Sequence, residues 1–169
     1  MRVTQIIAGA EYGGAETFFI RLVIALHRAG INQQVFIRHH PERADILRLN
    51  GLKPIEAKFG GALDFKTPRL LEREVRKFSP DIVLSWMNRA SNMAPVGDFL
   101  RVGRLGGYYD LKYYKKCDHL IGNTENITEY LVGEGWPAEK VHYLPNFVTQ
   151  AAASSTPRQA FFTPETVPL

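Results

Sequence analysis

Cysteine is almost missing from this chain: Cys117 is the single example in 169 residues. That excludes an internal disulfide framework and fits a reducing compartment. No apolar run approaches the roughly 18 residues that a membrane-spanning helix needs. Met1-Arg2-Val3-Thr4 enters a strand without a signal-peptide pattern, so a cytoplasmic location is expected. A dinucleotide fingerprint is also missing. Gly9 is followed by Gly13-Gly14, which is not the Gly-x-Gly-x-x-Gly spacing, and Arg38-His39-His40 stands where an acidic residue would hold a ribose. That argues against an NAD-type oxidoreductase domain. No Gly-Lys-Ser/Thr follows the first turn, which excludes a Walker phosphate loop. Asp-x-Asp and compact His/Cys clusters are lacking too, so neither a metal nor a cofactor is expected.

What is present is ordinary in bulk and ordered in detail. Hydrophobic residues make up 45%, and Lys plus Arg number 21 against 17 Asp plus Glu, a formal net charge of +4. This mild excess favours anionic partners such as phosphates, acidic saccharides or an anionic membrane surface. Strand and helix patterns alternate along the chain. Val3–Ala8, Gln34–Arg38, Pro54–Lys58, Asp81–Ser85, Arg101–Leu105, His119–Gly122 and Val141–Leu144 read as strands. Between them, Ala15–Ala29 carries Phe18, Phe19, Leu22, Val23 and Leu26 at helical spacing, and Gly30 ends it. Glu42–Leu49 reads as a short helix. Thr67-Pro68 opens another, with the Thr67 hydroxyl as expected cap and Leu71, Val75 and Phe78 as its buried stripe. Thr124 is expected to cap a helix running through Leu131.

Such alternation implies an α/β fold: a doubly wound, mainly parallel sheet of Rossmann-like type with helices on both faces. Right-handed crossovers make strand order 3-2-1-4-5-6 the leading expectation. Ligands in such folds bind at the carboxyl ends of the strands. The first of those ends is the turn Gly9-Ala10-Glu11-Tyr12-Gly13-Gly14, where missing Cβ atoms let a ligand approach bare backbone. The helix opening there presents unpaired N–H groups suited to a phosphate, so Gly13, Gly14 and Ala15 are candidate phosphate contacts. A tight turn without a ligand is the plainer alternative. Glu16 falls in the first helical turn, where it favours the helix dipole.

Three segments carry a family resemblance. Tyr12-Gly13-Gly14-Ala15-Glu16 with the apolar helix and Gly30 exit, Cys117-Asp118-His119-Leu120-Ile121-Gly122-Asn123-Thr124, and Val141-His142-Tyr143-Leu144-Pro145-Asn146-Phe147-Val148 resemble family 4 glycosyltransferases of the GT-B fold. Phe147 stands where that family usually has glycine. The resemblance covers Met1 to about Val148. It implies an N-terminal, acceptor-side domain over residues 1–148, with 149–169 as a linker or tail leading to an absent donor-binding domain. It further implies sugar transfer with retention from a nucleotide-sugar co-substrate, without a required metal. The implied acceptor is a saccharide or lipid-linked group in envelope polysaccharide or lipopolysaccharide synthesis. A lone domain of this kind should turn over little.

Other candidates sit at later strand ends. Trp86 offers a stacking face for a sugar, or is core; Asn88 and Arg89 offer hydrogen bonds to hydroxyls or an acidic group. Gly106-Gly107-Tyr108-Tyr109-Asp110 lacks the histidine that many relatives place near this point, and Tyr108 or Asp110 are the available substitutes. Asn123 and Thr124 complete the candidate acceptor or sugar contacts. No catalytic residue is assigned. Tyr108 through Lys116 interleaves aromatics with lysines, which suits an anionic saccharide or a lipid head group, so peripheral contact with an anionic membrane is compatible. Its plainer alternative is an amphipathic helix with packed tyrosines and solvated lysines. Nucleic acid is not expected as a partner. A non-catalytic domain that binds an anionic saccharide or lipid is the rival from another class. His39, His40 and His142 read as loop and strand residues, and Cys117 as a small apolar group entering its strand.

Overall fold

A computed structural model describes residues 1–61 and 63–147. The expected linker, 149–169, and Val148 lie outside the described residues. Seven strands form one sheet in the order β3-β2-β1-β4-β5-β6-β7, and every neighbouring pair is parallel. They are β1 (Arg2–Ile7), β2 (Asn32–Arg38), β3 (Ile55–Ala57), β4 (Ile82–Trp86), β5 (Leu100–Leu105), β6 (His119–Gly122) and β7 (Val141–Tyr143). The expected order is found, with β7 added beside β6.

The helices are α1 (Gly14–Arg28), α2 (Pro41–Leu49), α3 (Lys66–Phe78), α4 (Met87–Met93) and α5 (Glu125–Gly133). On one side of the central strands, α1 packs Phe18, Phe19 and Val23 with Ile7, Val35, Ile37, Leu84 and Trp86. On the other, α3 and α4 pack Leu71, Val75 and Ala90 with Ile6, Phe36 and Val83. Alternate residues of one strand thus serve opposite cores, as a parallel sheet covered on both faces requires. A third cluster joins Leu105, Tyr114, Cys117 and Leu120 to Ile127 and Leu131 of α5.

Two local readings change. The cap of α3 is not Thr67. Asp64 accepts the Thr67 N–H at 3.0 Å and the Thr67 hydroxyl at 2.6 Å, so the hydroxyl donates while the carboxylate caps. The run Tyr108–Lys116 contains only a single 3-10 turn, Leu111–Tyr113. Its tyrosines still divide as an amphipathic segment would: Tyr114 is fully buried and Tyr108 is 65% exposed. Thr124 does cap α5, accepting the Ile127 N–H at 3.2 Å.

Candidate functional site at the carboxyl ends of the strands

The β1–α1 corner is built around Glu16. This residue is only 6% exposed, and its Oε1 accepts the Ala10 N–H at 2.8 Å. Its side chain fills the space where a Cβ on Gly9 or Gly13 would project. Around a Cβ on Gly14, by contrast, nothing lies within 4 Å. The missing Cβ of Gly13 therefore makes room for Glu16 and not for a ligand, whereas Gly14 is open to approach. Glu16 is a buried brace of the turn as well as a first-turn acid.

Arg43 of α2 braces the same turn from outside. It is 3% exposed, and its Nη2 donates to the carbonyls of Ala10 at 2.8 Å and Glu11 at 3.2 Å, while Nη1 has no partner among the described residues. Burial lowers its pKa, an effect that the charge of Glu16 opposes. A cavity of about 480 Å³ opens beside the turn, lined by Ala10, Tyr12, Arg38, His39, His40 and Arg43 among others. Gly9 to Tyr12 border this hollow, whereas Gly13, Gly14 and Ala15 are not among its lining residues.

Strand β4 ends differently from expectation. Trp86 is 1% exposed, donates its indole N–H to the buried Gln5 side chain at 3.2 Å, and meets Phe18 and Phe19 at ring distances of 5.9 and 5.2 Å. It has no face left for a sugar, so the core alternative is the correct one. Met87 turns the chain into α4 with a φ of 61°, a left-handed conformation that is strained for a non-glycine residue. Asn88 accepts the Tyr114 hydroxyl at 2.8 Å, and Arg89 donates to the Phe59 carbonyl at 3.1 Å. Both line a cavity of about 900 Å³ with Gly60, Asp64, Tyr113 and Lys116. None of the residues around the β1–α1 hollow lines this cavity.

A third group lies at the ends of β5 and β6. A Cβ on Gly106 would come within 3.7 Å of Asn123 Nδ2, and one on Gly107 within 3.5 Å of the Tyr109 ring. Tyr108 and Tyr130 form a T-shaped pair with ring centres 5.2 Å apart. The Asn123 Oδ1 is buried and has no partner among the described residues. Gly106 thus lies against Asn123, and Tyr108 packs on Tyr130 of α5, the helix that Thr124 caps.

Sequence reasoning missed Arg43 and Arg104. Arg104, on β5 opposite Trp86, is 1% exposed. The available signal was a charged residue inside a strand that this fold covers on both faces.

The sequence profile of Glycosyltransferase Family 4 matches residues 12–151. The lipopolysaccharide core biosynthesis glycosyltransferase LpsE of Rhizobium meliloti is 33% identical over 100% of this chain and 50% of its own length. This chain belongs to glycosyltransferase family 4. It spans about half the length of the curated relatives it matches. Among solved structures, HepE of Anabaena in complex with UDP superposes with a TM-score of 0.67 at 14% identity, covering 88% of this chain and 44% of that one. The apo lipopolysaccharide outer core galactosyltransferase WaaB gives 0.65 at 20% identity, covering 88% and 46%. These likenesses show the fold of a GT-B half. Family 4 membership sets aside the NAD-type oxidoreductase alternative. Among the described residues, no helix is long and apolar enough to cross a membrane.

Proposed function

We propose that residues 1–148 form the acceptor-side domain of a retaining family 4 glycosyltransferase, and that 149–169 lead toward a donor-binding domain. The donor is a nucleotide-sugar, and the acceptor a saccharide or lipid-linked group of the cell envelope. The observation that carries this reading is the β1–α1 corner. Gly14 stands open at the amino end of a 15-residue helix, on the carboxyl side of a central strand, and the turn that leads to it, Gly9 to Tyr12, lines a hollow. Diphosphate departure concentrates negative charge, and fixed amide donors at such an end stabilise it when the second domain closes over them. The named activity of LpsE supports the envelope acceptor. Asn88 and Arg89 in the larger cavity, with Gly107, Tyr108 and Asn123 at the next strand ends, supply acceptor or sugar contacts; Thr124 contributes as the cap that fixes their border. The exposed Lys112, Lys115 and Lys116 give the domain a basic edge for peripheral contact with an anionic membrane.

The test is a donor screen on the complete protein, reading hydrolysis of each sugar nucleotide and the anomeric configuration of the transferred product. One nucleotide-sugar should be consumed, with configuration retained. An inverted product, or no donor consumed with any acceptor extract, overturns the reading.

A further inference from the structure

Among the described residues, Arg104 is a buried cation without a buried anion: no carboxylate pairs with it and its Nε has no partner. Fully buried arginines are rare unless paired, because removing the charge from water is costly. Two aromatic faces compensate in part. The guanidinium carbon lies 4.6 Å from the Phe18 ring centre and 4.7 Å from that of Trp86. Its remaining contacts are neutral: Nη2 donates to the Leu144 carbonyl at 3.3 Å and to the Asn146 side-chain oxygen at 2.6 Å. Burial brings the Arg104 pKa down to about 10, which still leaves the group charged at neutral pH.

The location is as telling as the missing partner. Arg104 pairs in register with Trp86, the last residue of β4, so it sits at the carboxyl end of the sheet. Phe18 is in the second turn of α1, which places the guanidinium near the amino end of the helix that Gly14 opens. The cover over it is thin. Residues 144–147 have no regular structure, and Leu144 and Phe147 are 38% and 44% exposed. Besides the two Arg104 bonds, one backbone bond, Leu144 N–H to the Gly122 carbonyl at 3.0 Å, and a T-shaped Phe147–Phe18 pair at 4.9 Å hold it down.

We propose that Arg104 is a concealed phosphate receptor: the guanidinium held against the Phe18 and Trp86 rings exchanges its neutral contacts with Leu144 and Asn146 for the oxygens of a phosphate group when residues 144–147 lift. A phosphate oxygen is a charged acceptor, and such bonds are about twice as strong as neutral ones. The planar fork of arginine matches two phosphate oxygens at once. The aromatic walls fix that fork in advance. The inference goes beyond the proposed transfer reaction, since it requires only anion binding by this chain.

Trp86 itself reports the event. The second tryptophan, Trp136, belongs to the cluster around α5, so W136F leaves Trp86 as the lone indole emitter. Inorganic pyrophosphate titrated into the W136F chain at constant ionic strength should change that emission saturably. In an R104M, W136F chain of matching circular dichroism, the change should vanish. An N146A, W136F chain should bind pyrophosphate about tenfold tighter, because one competing hydrogen bond to the cation is gone. UDP matching pyrophosphate assigns the site to a donor diphosphate, while glucose 6-phosphate outcompeting both assigns it to an acceptor phosphate. No emission change with any of the three, or a change that persists in R104M, overturns the proposal. Should R104M fail to fold, an N146A chain that binds no tighter overturns it alone. A failed donor screen on the complete protein leaves this result untouched, so the two readings fail separately.

Discussion

Glu16 Oε1 accepts the Ala10 N–H at 2.8 Å, and the same side chain occupies the volume that a Cβ on Gly13 would claim. One carboxylate thus holds the first turn from within and dictates which glycines are needed. Gly13 has extended backbone, with a φ of 168°, so any residue could adopt it; the obstacle is Glu16 alone. Gly9→Ala and Gly13→Ala should each destabilise the chain by about 1–3 kcal/mol, the usual cost of overpacking. Gly14→Ala should leave stability unchanged within about 0.5 kcal/mol, because its Cβ meets open space. Urea midpoints check both. Pairing Gly13→Ala with Glu16→Ala should cost less than the sum of the single losses, and a strictly additive cycle would remove Glu16 as the cause.

The same contrast separates stability from binding at the proposed phosphate end. In the complete protein, Gly14→Ala should weaken nucleotide-sugar hydrolysis about tenfold or more, since one misplaced methyl blocks close approach to the amide donors. Thermal denaturation of that variant should match the parent. Unchanged hydrolysis would place the diphosphate elsewhere.

The fold was legible because its signals are periodic and redundant. Apolar runs at β4, stripes such as Phe18, Phe19 and Val23 on α1, and glycine exits each point to the same parallel sheet, and β3-β2-β1-β4-β5-β6 follows from crossover handedness. The site was legible only where backbone type matters. Gly14 could be read as open from its place in the chain. Gly13 could not be read as making room for a brace, because that brace, Glu16, had an adequate local explanation in the helix dipole. Trp86 faced the same limit: the last residue of a strand can point to either side, and only the positions of Phe18, Phe19 and Gln5 decide that it is core. Arg43 is a contact across more than thirty residues, and nothing in a helix of ordinary composition announces that one of its arginines reaches the β1–α1 turn.

Arg43→Met tests that reach. The substitution keeps much of the side-chain volume but releases the carbonyls of Ala10 and Glu11. Relief of the buried charge offsets part of the loss, so the net cost should be about 1–3 kcal/mol. Hydrogen exchange should quicken at the Ala10 amide and its neighbours in the turn, while the amides of α5 stay as protected as before. Equal acceleration in both places would show general loosening and no specific brace.

Cys117 is buried, and burial pushes its thiol up to about 11. From the ordinary value of 9.0 this leaves about a hundredfold less thiolate at mildly alkaline pH. A disulfide reagent should therefore label the native chain at least about a hundredfold more slowly than the urea-unfolded chain. With one cysteine in the sequence the stoichiometry is unambiguous. Rapid native labelling would mean that the cluster around Tyr114 and Leu120 opens readily.

Asp64 supplies the acid dependence. The Thr67 hydroxyl at 2.6 Å is the chief cause that brings its carboxyl from 3.8 down to about 2, with the Thr67 and Gly60 amides adding to it. Because the folded pKa is the lower one, the unfolded chain takes up the proton first as acid is added. The stabilisation is therefore complete above about pH 4 and disappears as pH falls through about 2. Asp64→Asn should lower stability by about 1 kcal/mol at about pH 5, a figure reduced for water screening of a partly exposed group. That gap should shrink to a small fraction at about pH 2, where the parent carboxyl is itself half protonated. Urea titrations of both chains at the two pH values read the difference. A gap that is equally wide at both would mean that the substituted amide disrupts the start of α3 by its shape and that the carboxylate charge of Asp64 contributes nothing.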